Sequence, residues 1–352
     1  MIAQDPVSLM KSMRTRIDRE LEKYFEEKSQ QELVPVCRSV MDHIREFTLN
    51  GGKRIRPILV ILGHDLFSEP DEKVYRAAIS IELTQTNLLI HDDIMDQSET
   101  RRGKPSLHVS VRNTIARNAP DSKRLSENIA IVAGDLANSY SHEALLTCGL
   151  SPVETMRANL ELTRIIEMTG YGQLIDIDSA INQNFSQRNL LRLHILKTAK
   201  YTIEGPLMMG ALLSGTQENI LPLSFYGILL GTAFQLHDDI LGLFGNESET
   251  GKSIKSDVNE GKKTLLMLKA MENSDEETRE FIQASLRKGN ISDADFQKLR
   301  NIVRDSGSYD HSRRMMERMI EKSKEYLAQV NGDKEIKKFL GWLAHYIIER
   351  KN

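Results

Sequence analysis

Three aspartates in one short stretch, Asp92, Asp93 and Asp96, follow a run that contains Ile81, Leu83, Leu88 and Leu89. The pattern returns at Leu236-His237-Asp238-Asp239-Ile240-Leu241-Gly242, just after Phe234. On a helix, residues i and i+4 share a face, so Asp92 and Asp96 point together with Asp93 one step round. Carboxylates held that way repel one another unless a cation stands between them. Their hard oxygens suit Mg²⁺, which takes one or two carboxylates and completes its shell with water and substrate phosphate. The two clusters therefore read as a Mg²⁺–diphosphate site facing inward between helices.

Cations stand near both clusters. Asn50-Gly-Gly-Lys-Arg-Ile-Arg-Pro57 interrupts two helical patterns and sets Lys53, Arg54 and Arg56 within one turn of a helix N-terminus, a natural anion site. Taken alone, such a segment is more often a solvated basic turn. Arg101, Arg102 and Lys104 follow the first aspartates in a polar loop over 99–108, and Lys252, Lys255, Lys262 and Lys263 follow the second in a loop over 244–264. Gly251-Lys252-Ser253 resembles part of a phosphate loop, but Asn246 stands where that motif needs glycine, and a helix precedes it rather than a strand.

The elements that must hold these groups are helical. Asp5-Pro6 pairs an N-cap residue with a first-turn proline, and Ser29-Gln-Gln-Glu32, Ser151-Pro-Val-Glu154 and Ser274-Asp-Glu-Glu277 match the capping box. Helices are expected over 71–98, 126–147, 152–182, 190–201 and 222–243, with breaks at Glu204-Gly205-Pro206, Gly289-Asn290 and Asn331-Gly332. No Asn-Gly or Asp-Gly hairpin separates alternating apolar runs. The fold class is all-α, a large helical bundle around a central apolar cavity, read as one domain over 1–352.

The 352 residues are 40% hydrophobic and 28% charged, enough material for a sizeable core. A net charge of −3 argues against a nucleic-acid binder that works through phosphate contacts. Two cysteines, Cys37 and Cys148, form no metal-like spacing and fit a reducing cytoplasm. No secretory pattern opens the chain, and apolar runs such as 58–62 and 226–230 fall short of the ~20 residues of a membrane span. No Gly-x-Ser-x-Gly elbow occurs, and no side-chain nucleophile is needed if a diphosphate leaves from an allylic carbon to give a delocalised carbocation.

The order Gly-Gly-Lys-Arg-Ile-Arg-Pro, Asp-Asp-x-x-Asp with Arg-Arg-Gly, Gly172-Gln173 with Asp176, Lys197-Thr198, Phe-Gln-x-x-Asp-Asp and Gly-Lys-Lys-Thr resembles the trans-isoprenyl diphosphate synthases across residues 50 to 265. The resemblance implies condensation of isopentenyl diphosphate with an allylic diphosphate, two or three Mg²⁺ ions, and a homodimer. It implies that Asp92 and Asp96 bind two ions with Asp93 in support, and that Asp238 binds a third beside Asp239. Arg101, Lys197, Lys252 and Lys262 would contact the allylic diphosphate, with Thr198 and Gln235 bordering the developing cation. Lys53, Arg56, Gln85 and Arg102 would hold isopentenyl diphosphate. Many members end the second motif in a third aspartate; Gly242 stands there, so the third ion would be held more loosely.

Product length follows from the residues ahead of Asp92, since a growing tail covers about one isoprene unit per ~5.4 Å helical turn. Thr84, Asn87 and Leu88 line that path, and no aromatic ring occupies the positions where farnesyl-producing members often carry one. Geranylgeranyl diphosphate is the expected main product, with farnesyl or a longer chain as the alternatives, and Met208 or Met209 could plug the same space. A His-Asp metal phosphohydrolase leaves the third aspartate and the arginines unexplained. A terpene cyclase usually lacks the basic turn at Lys53–Arg56, and a non-catalytic partner subunit would be expected to have lost one aspartate motif.

Overall fold

The structure is a computed structural model and describes residues 5–31, 33–182, 185–245 and 254–346. The helices in chain order are α1 (Pro6–Ser29), α2 (Pro35–Leu49), α3 (Ile55–Asp65), α4 (Lys73–Met95), α5 (Leu107–Asn113), α6 (Ser122–Leu146), α7 (Pro152–Ile181), α8 (Gln187–Leu193), a π-helix (His194–Glu204), α9 (Gly205–Leu213) and α10 (Leu221–Phe244). Six more helices follow among the described residues from Ser256 to Tyr346, the longest being Ser308–Gln329. The chain divides into two compact units, 1–162 with 206–217, and 163–205 with 218–352.

In the first unit α4 is buried on nearly every side, from Val74 through Ile81 and Leu83 to Ile90. That is why its sequence shows little amphipathic contrast. It packs along α6, whose buried residues are small up to its last turn, where Leu145 is also buried: Ser126, Ala130, Ala133, Gly134, Ala137, Ser141 and Ala144. Small side chains at helical spacing let the two backbones approach, and a Cβ on Gly134 would overlap the His91 imidazole. α3 is equally enclosed, with Ile58–His64 buried without a gap.

The second unit is organised around α10, which buries Tyr226, Leu230, Ala233, Leu236, Ile240 and Leu243. Its lower half joins a core with Leu265, Leu266, Met267, Ile282, Phe296 and Leu299. The π-helix lies against α10. Glycines permit that approach: a Cβ on Gly231 would stand 2.5 Å from Ala199 Cα, and one on Gly227 2.5 Å from Glu204 Cα.

Several expectations are corrected. Glu204-Gly205-Pro206 is no break, because the π-helix runs directly into α9 with Gly205 helical at φ −59° and ψ −47°. Thr100–Arg101 and Lys104–Pro105 pair as a two-residue hairpin inside the supposed loop. Its turn residues, Arg102 at φ 52° and Gly103 at φ 75°, supply the left-handed pair such a tight turn requires. Asp275, not Ser274, caps its helix by accepting from Thr278 N. Ser29 ends α1 rather than opening a helix. Further breaks occur near Asn273 and Ser306, whereas those at Gly289 and Gly332 fall as expected.

Candidate active site

One candidate group, in the first unit, is the end of α4 with the basic turn beside it. Asp92 is 25% exposed at its side chain and Asp96 is exposed at the C-cap, while Asp93 is fully buried. The i, i+4 placement of Asp92 and Asp96 therefore survives to the helix end, where Asp96 N donates to Asp92 O at 2.8 Å. Arg101, delivered by the hairpin, donates through Nε to Asp93 Oδ1 at 2.8 Å and reaches Asp92 Oδ2 at 3.5 Å. Burial raises the Asp93 pKa, with Arg101 opposing.

The turn before α3 brings together most of the residues assigned to the second substrate. Arg102 Nη1 donates to Asn50 O at 3.1 Å and to Gly51 O at 2.9 Å, and lies over Gly52. A side chain at Gly52, whose φ is 108°, would both strain the backbone and crowd that guanidinium. Arg56 Nη1 donates to Gln85 Oε1 at 3.1 Å, which joins the turn to α4 two helical turns before Asp92. Lys53 is exposed in the same turn. Arg54 departs from the anion reading. Its side chain is 1% exposed and pairs with Glu82 at 2.5 Å, Asp18 at 2.7 Å and the Thr48 carbonyl at 3.0 Å. It anchors the turn from beneath, in a left-handed conformation at φ 54°.

Another candidate group, in the second unit, lies on α10 and the π-helix. Asp238 is exposed and Asp239 buried. Thr198 Oγ1 donates to Gln235 Oε1 at 2.8 Å, and Gln235 Nε2 donates to Asp239 Oδ1 at 2.9 Å. His194 Nε2 stands 3.4 Å from Asp239 Oδ2. Sequence reasoning missed His194; its only signal was a lone histidine one turn before Lys197, a type more often found as plain core. Burial pushes the Asp239 carboxyl up to about 8, with Asp257 and Asp238 adding and Gln235 opposing. Burial takes His194 down to about 4. Burial thus disfavours the charged form of both groups, and a cation bound nearby would work in the opposite direction on Asp239.

Lys197 Nζ pairs with Asp176 Oδ2 at 2.5 Å, and a Cβ on Gly172 would stand 2.6 Å from Lys197 N, so the Gly172-Gln173 patch makes room for the lysine's backbone. Lys262 Nζ donates to Asp257 Oδ1 at 2.9 Å and reaches Glu260 at 2.8 Å. Lys252 lies outside the described residues. Among the described residues no three His, Cys, Asp or Glu side chains converge as a ready-made metal cage. The donors that keep exposed surface, Asp92, Asp96 and Asp238, are all carboxylates. That set fits Mg²⁺, which needs few protein ligands and keeps room for water and phosphate, better than Zn²⁺. Thr84, Asn87 and Leu88 lie along α4 ahead of Asp92; Thr84 and Asn87 are buried and Leu88 is half-buried.

An all-α chain with paired aspartates at two helix ends, each beside basic residues, has the form of an isoprenoid synthase. Residues 36–303 match the Polyprenyl synthetase family, and the chain belongs to it. A geranylgeranyl diphosphate synthase of Sulfolobus acidocaldarius is 33% identical over 307 residues, covering 86% of this chain and 88% of its own. A geranylfarnesyl diphosphate synthase of Aeropyrum pernix is 31% identical over 307 residues, covering 85% and 91%. A crystal structure of geranylgeranyl pyrophosphate synthase from Corynebacterium glutamicum, complexed with isoprenyl diphosphate and magnesium, superposes with a TM-score of 0.88. It is 32% identical in sequence, with 99% of this chain and 100% of that chain covered.

Proposed function

We propose that this protein is a Mg²⁺-dependent prenyltransferase. It condenses isopentenyl diphosphate with allylic diphosphates and makes geranylgeranyl diphosphate as its main product. The observation that carries the reading is the pairing, on α4, of accessible Asp92 and Asp96 with the Arg56–Gln85 contact two turns earlier. One helix thereby presents carboxylates for a metal-bound diphosphate and an arginine-based cradle for a second one.

Two or three Mg²⁺ ions, held by Asp92, Asp96 and Asp238, would neutralise charge that develops on the departing diphosphate. Arg101, Lys197, Lys252 and Lys262 bind the allylic diphosphate, and Lys53, Arg56 and Arg102 bind isopentenyl diphosphate. Thr198 and Gln235 present oxygens toward the allylic cation, and Gln235 in turn steadies Asp239. Asp93 serves through Arg101, and the released diphosphate takes the proton lost after coupling. The test is incubation with isopentenyl and allylic diphosphates, with and without Mg²⁺, followed by chromatography of the dephosphorylated alcohols. Geranylgeraniol is expected, a longer alcohol would align the chain with its geranylfarnesyl-producing relative, and no coupled product would overturn the assignment.

A homodimer is part of the same reading. α7 carries exposed Val153, Met156, Leu160, Leu174, Ile177 and Ile181 at intervals of three, four or seven and their multiples. A helix rarely leaves such a stripe to water, and a second copy of the chain would cover it. No described helix is long and apolar enough to cross a membrane. The protein is read as one catalytic domain that works in the cytoplasm.

A further inference from the structure

The second unit carries an apolar strip that the aspartate groups do not use. Leu221, Phe225 and Leu229 recur every four residues along α10 and so share one face. Leu221 is 55% and Phe225 40% exposed. The helix Ser308–Gln329 packs beside α10 and extends the strip with half-buried Met315, Met319 and Tyr326. Leu229, Met315 and Met319 line a slot of about 290 Å³, and the Phe225 and Tyr326 rings meet with their centroids 4.9 Å apart. Cations border the strip. His311, Arg314, Arg318 and Lys322 line the same slot, the last three at intervals of four residues. Most carboxylates of that helix are taken by its other cations: Glu317 pairs with Arg313 at 2.9 Å and Glu321 with Lys324 at 2.6 Å. Glu325 pairs with Lys322 at 2.6 Å. Arg314 and Arg318 are exposed and form no ion pair among the described residues. This local surplus of positive charge stands on a chain whose net charge is −3.

We infer that this face docks on an anionic lipid bilayer. Leu221 and Phe225 enter the boundary between headgroups and acyl chains, while Arg314, Arg318 and Lys322 meet lipid phosphates, the combination that interfacial binding requires. Lys322 Nζ lies 5.6 Å from the centre of the Tyr326 ring, which puts a cation and an amphipathic ring together at headgroup level. A second copy of the chain suits the strip less well, because a two-fold pairing through it would bring like charges together. The inference rests in part on the function proposed above, since a long hydrocarbon on a diphosphate is itself an amphiphile that partitions into a bilayer. Docking would release that product where it dissolves.

The experiment is co-sedimentation of the full chain with vesicles of phosphatidylcholine alone and of equimolar phosphatidylcholine and phosphatidylglycerol. The unmodified chain is compared with Arg314→Gln/Arg318→Gln and with Phe225→Ser. It should bind the anionic vesicles, bind the neutral ones far less, and be released as salt screens the cations. The double arginine variant should partition roughly 30-fold more weakly, about fivefold for each cation lost near the surface. Phe225→Ser should lose about tenfold or more, the range for a phenyl ring no longer taken out of water. Coupling of soluble substrates without vesicles should be equal in all three proteins, which shows that the variants fold. Failure of coupling in the unmodified chain would refute the proposed function and leave the vesicle result readable. An unmodified chain that ignores anionic vesicles overturns the inference, as does equal binding to neutral ones. Undiminished binding by the double variant places any lipid contact on another surface and also overturns it. If Phe225→Ser changes the sedimentation coefficient in lipid-free buffer, the strip is an interface between copies and the bilayer reading falls.

Discussion

Arg101 and Asp93 form a clamp in which the arginine Nε donates to the buried Asp93 Oδ1 at 2.8 Å, while Asp92, one residue earlier, keeps a quarter of its side chain in solvent. Neighbours in sequence thus differ in environment, and on the proposed function they have separate tasks, one structural and one as a metal ligand. Asp92→Asn should leave the melting temperature unchanged and lower kcat by roughly a hundredfold or more, since a metal ligand contributes several kcal/mol to the transition state. Asp93→Ala should instead destabilise the fold by about 1–3 kcal/mol, because Arg101 loses its buried acceptor. Urea unfolding together with steady-state kinetics separates the two. Equal destabilisation of both variants would contradict the division.

The basic turn divides in the same way. Arg54 is enclosed by Glu82 and Asp18, and removing one member of a buried ion pair costs on the order of 3–5 kcal/mol, so Arg54→Ala should unfold at markedly lower urea. Arg56→Ala should keep its stability, apart from the Gln85 contact, and raise KM for isopentenyl diphosphate far more than KM for the allylic substrate. An equal rise in both constants would remove the assignment of this turn to one substrate.

The parts of this site that were legible in the sequence are those governed by spacing along one helix. Asp92 with Asp96, and Gln85 two turns earlier, follow from helical periodicity alone. What was not legible depends on contacts between elements or on helix width. The 11 residues from His194 to Glu204 are too few for apolar spacing to separate a π-helix from an α-helix, and Gly205-Pro206 read as a stop. Glycines on α7 and α10 accept the wider turn, and that relation exists only after folding. Asp257 could not be matched to Gly242 for the same reason: the contact joins α10 to the short helix Ser256–Asn259. Arg54 carried no mark to set its buried guanidinium apart from the cationic groups of Lys53 and Arg56, because the left-handed φ that turns it inward is a property of the turn.

Glu143 gives a pH dependence remote from the catalytic groups. Burial works to raise its pKa, but hydrogen bonds from Lys28 at 2.8 Å and Tyr24 at 2.7 Å outweigh it, and the net direction is down. A carboxyl lowered in the folded state adds stability that is whole above the ordinary carboxylate range and is lost as the pH falls through the folded value. Glu143→Gln should therefore lower the melting temperature at pH 7. The gap from the unmodified protein should shrink on acidification below the usual glutamate range. A constant gap between neutral pH and about pH 3, where ordinary carboxyls are mostly protonated, would rule out this ion-paired cluster as a source of the acid sensitivity.

Chain length tests the path along α4. Thr84, Asn87 and Leu88 precede Asp92 by one to two turns, and Leu88 is only half-buried, so its side chain has space that a larger one could take up. A ring at 88 would stand about one turn, ~5.4 Å, from the aspartates and close the path to a tail longer than about one further isoprene unit. Leu88→Phe should therefore shift the product from geranylgeranyl toward farnesyl and shorter diphosphates without loss of total coupling. Leu88→Ala should move the distribution toward longer chains. Chromatography of the dephosphorylated alcohols at matched turnover reads both. If neither variant changes the distribution, the floor of the pocket lies elsewhere, and Met208, half-buried on α9, becomes the residue to enlarge or trim next.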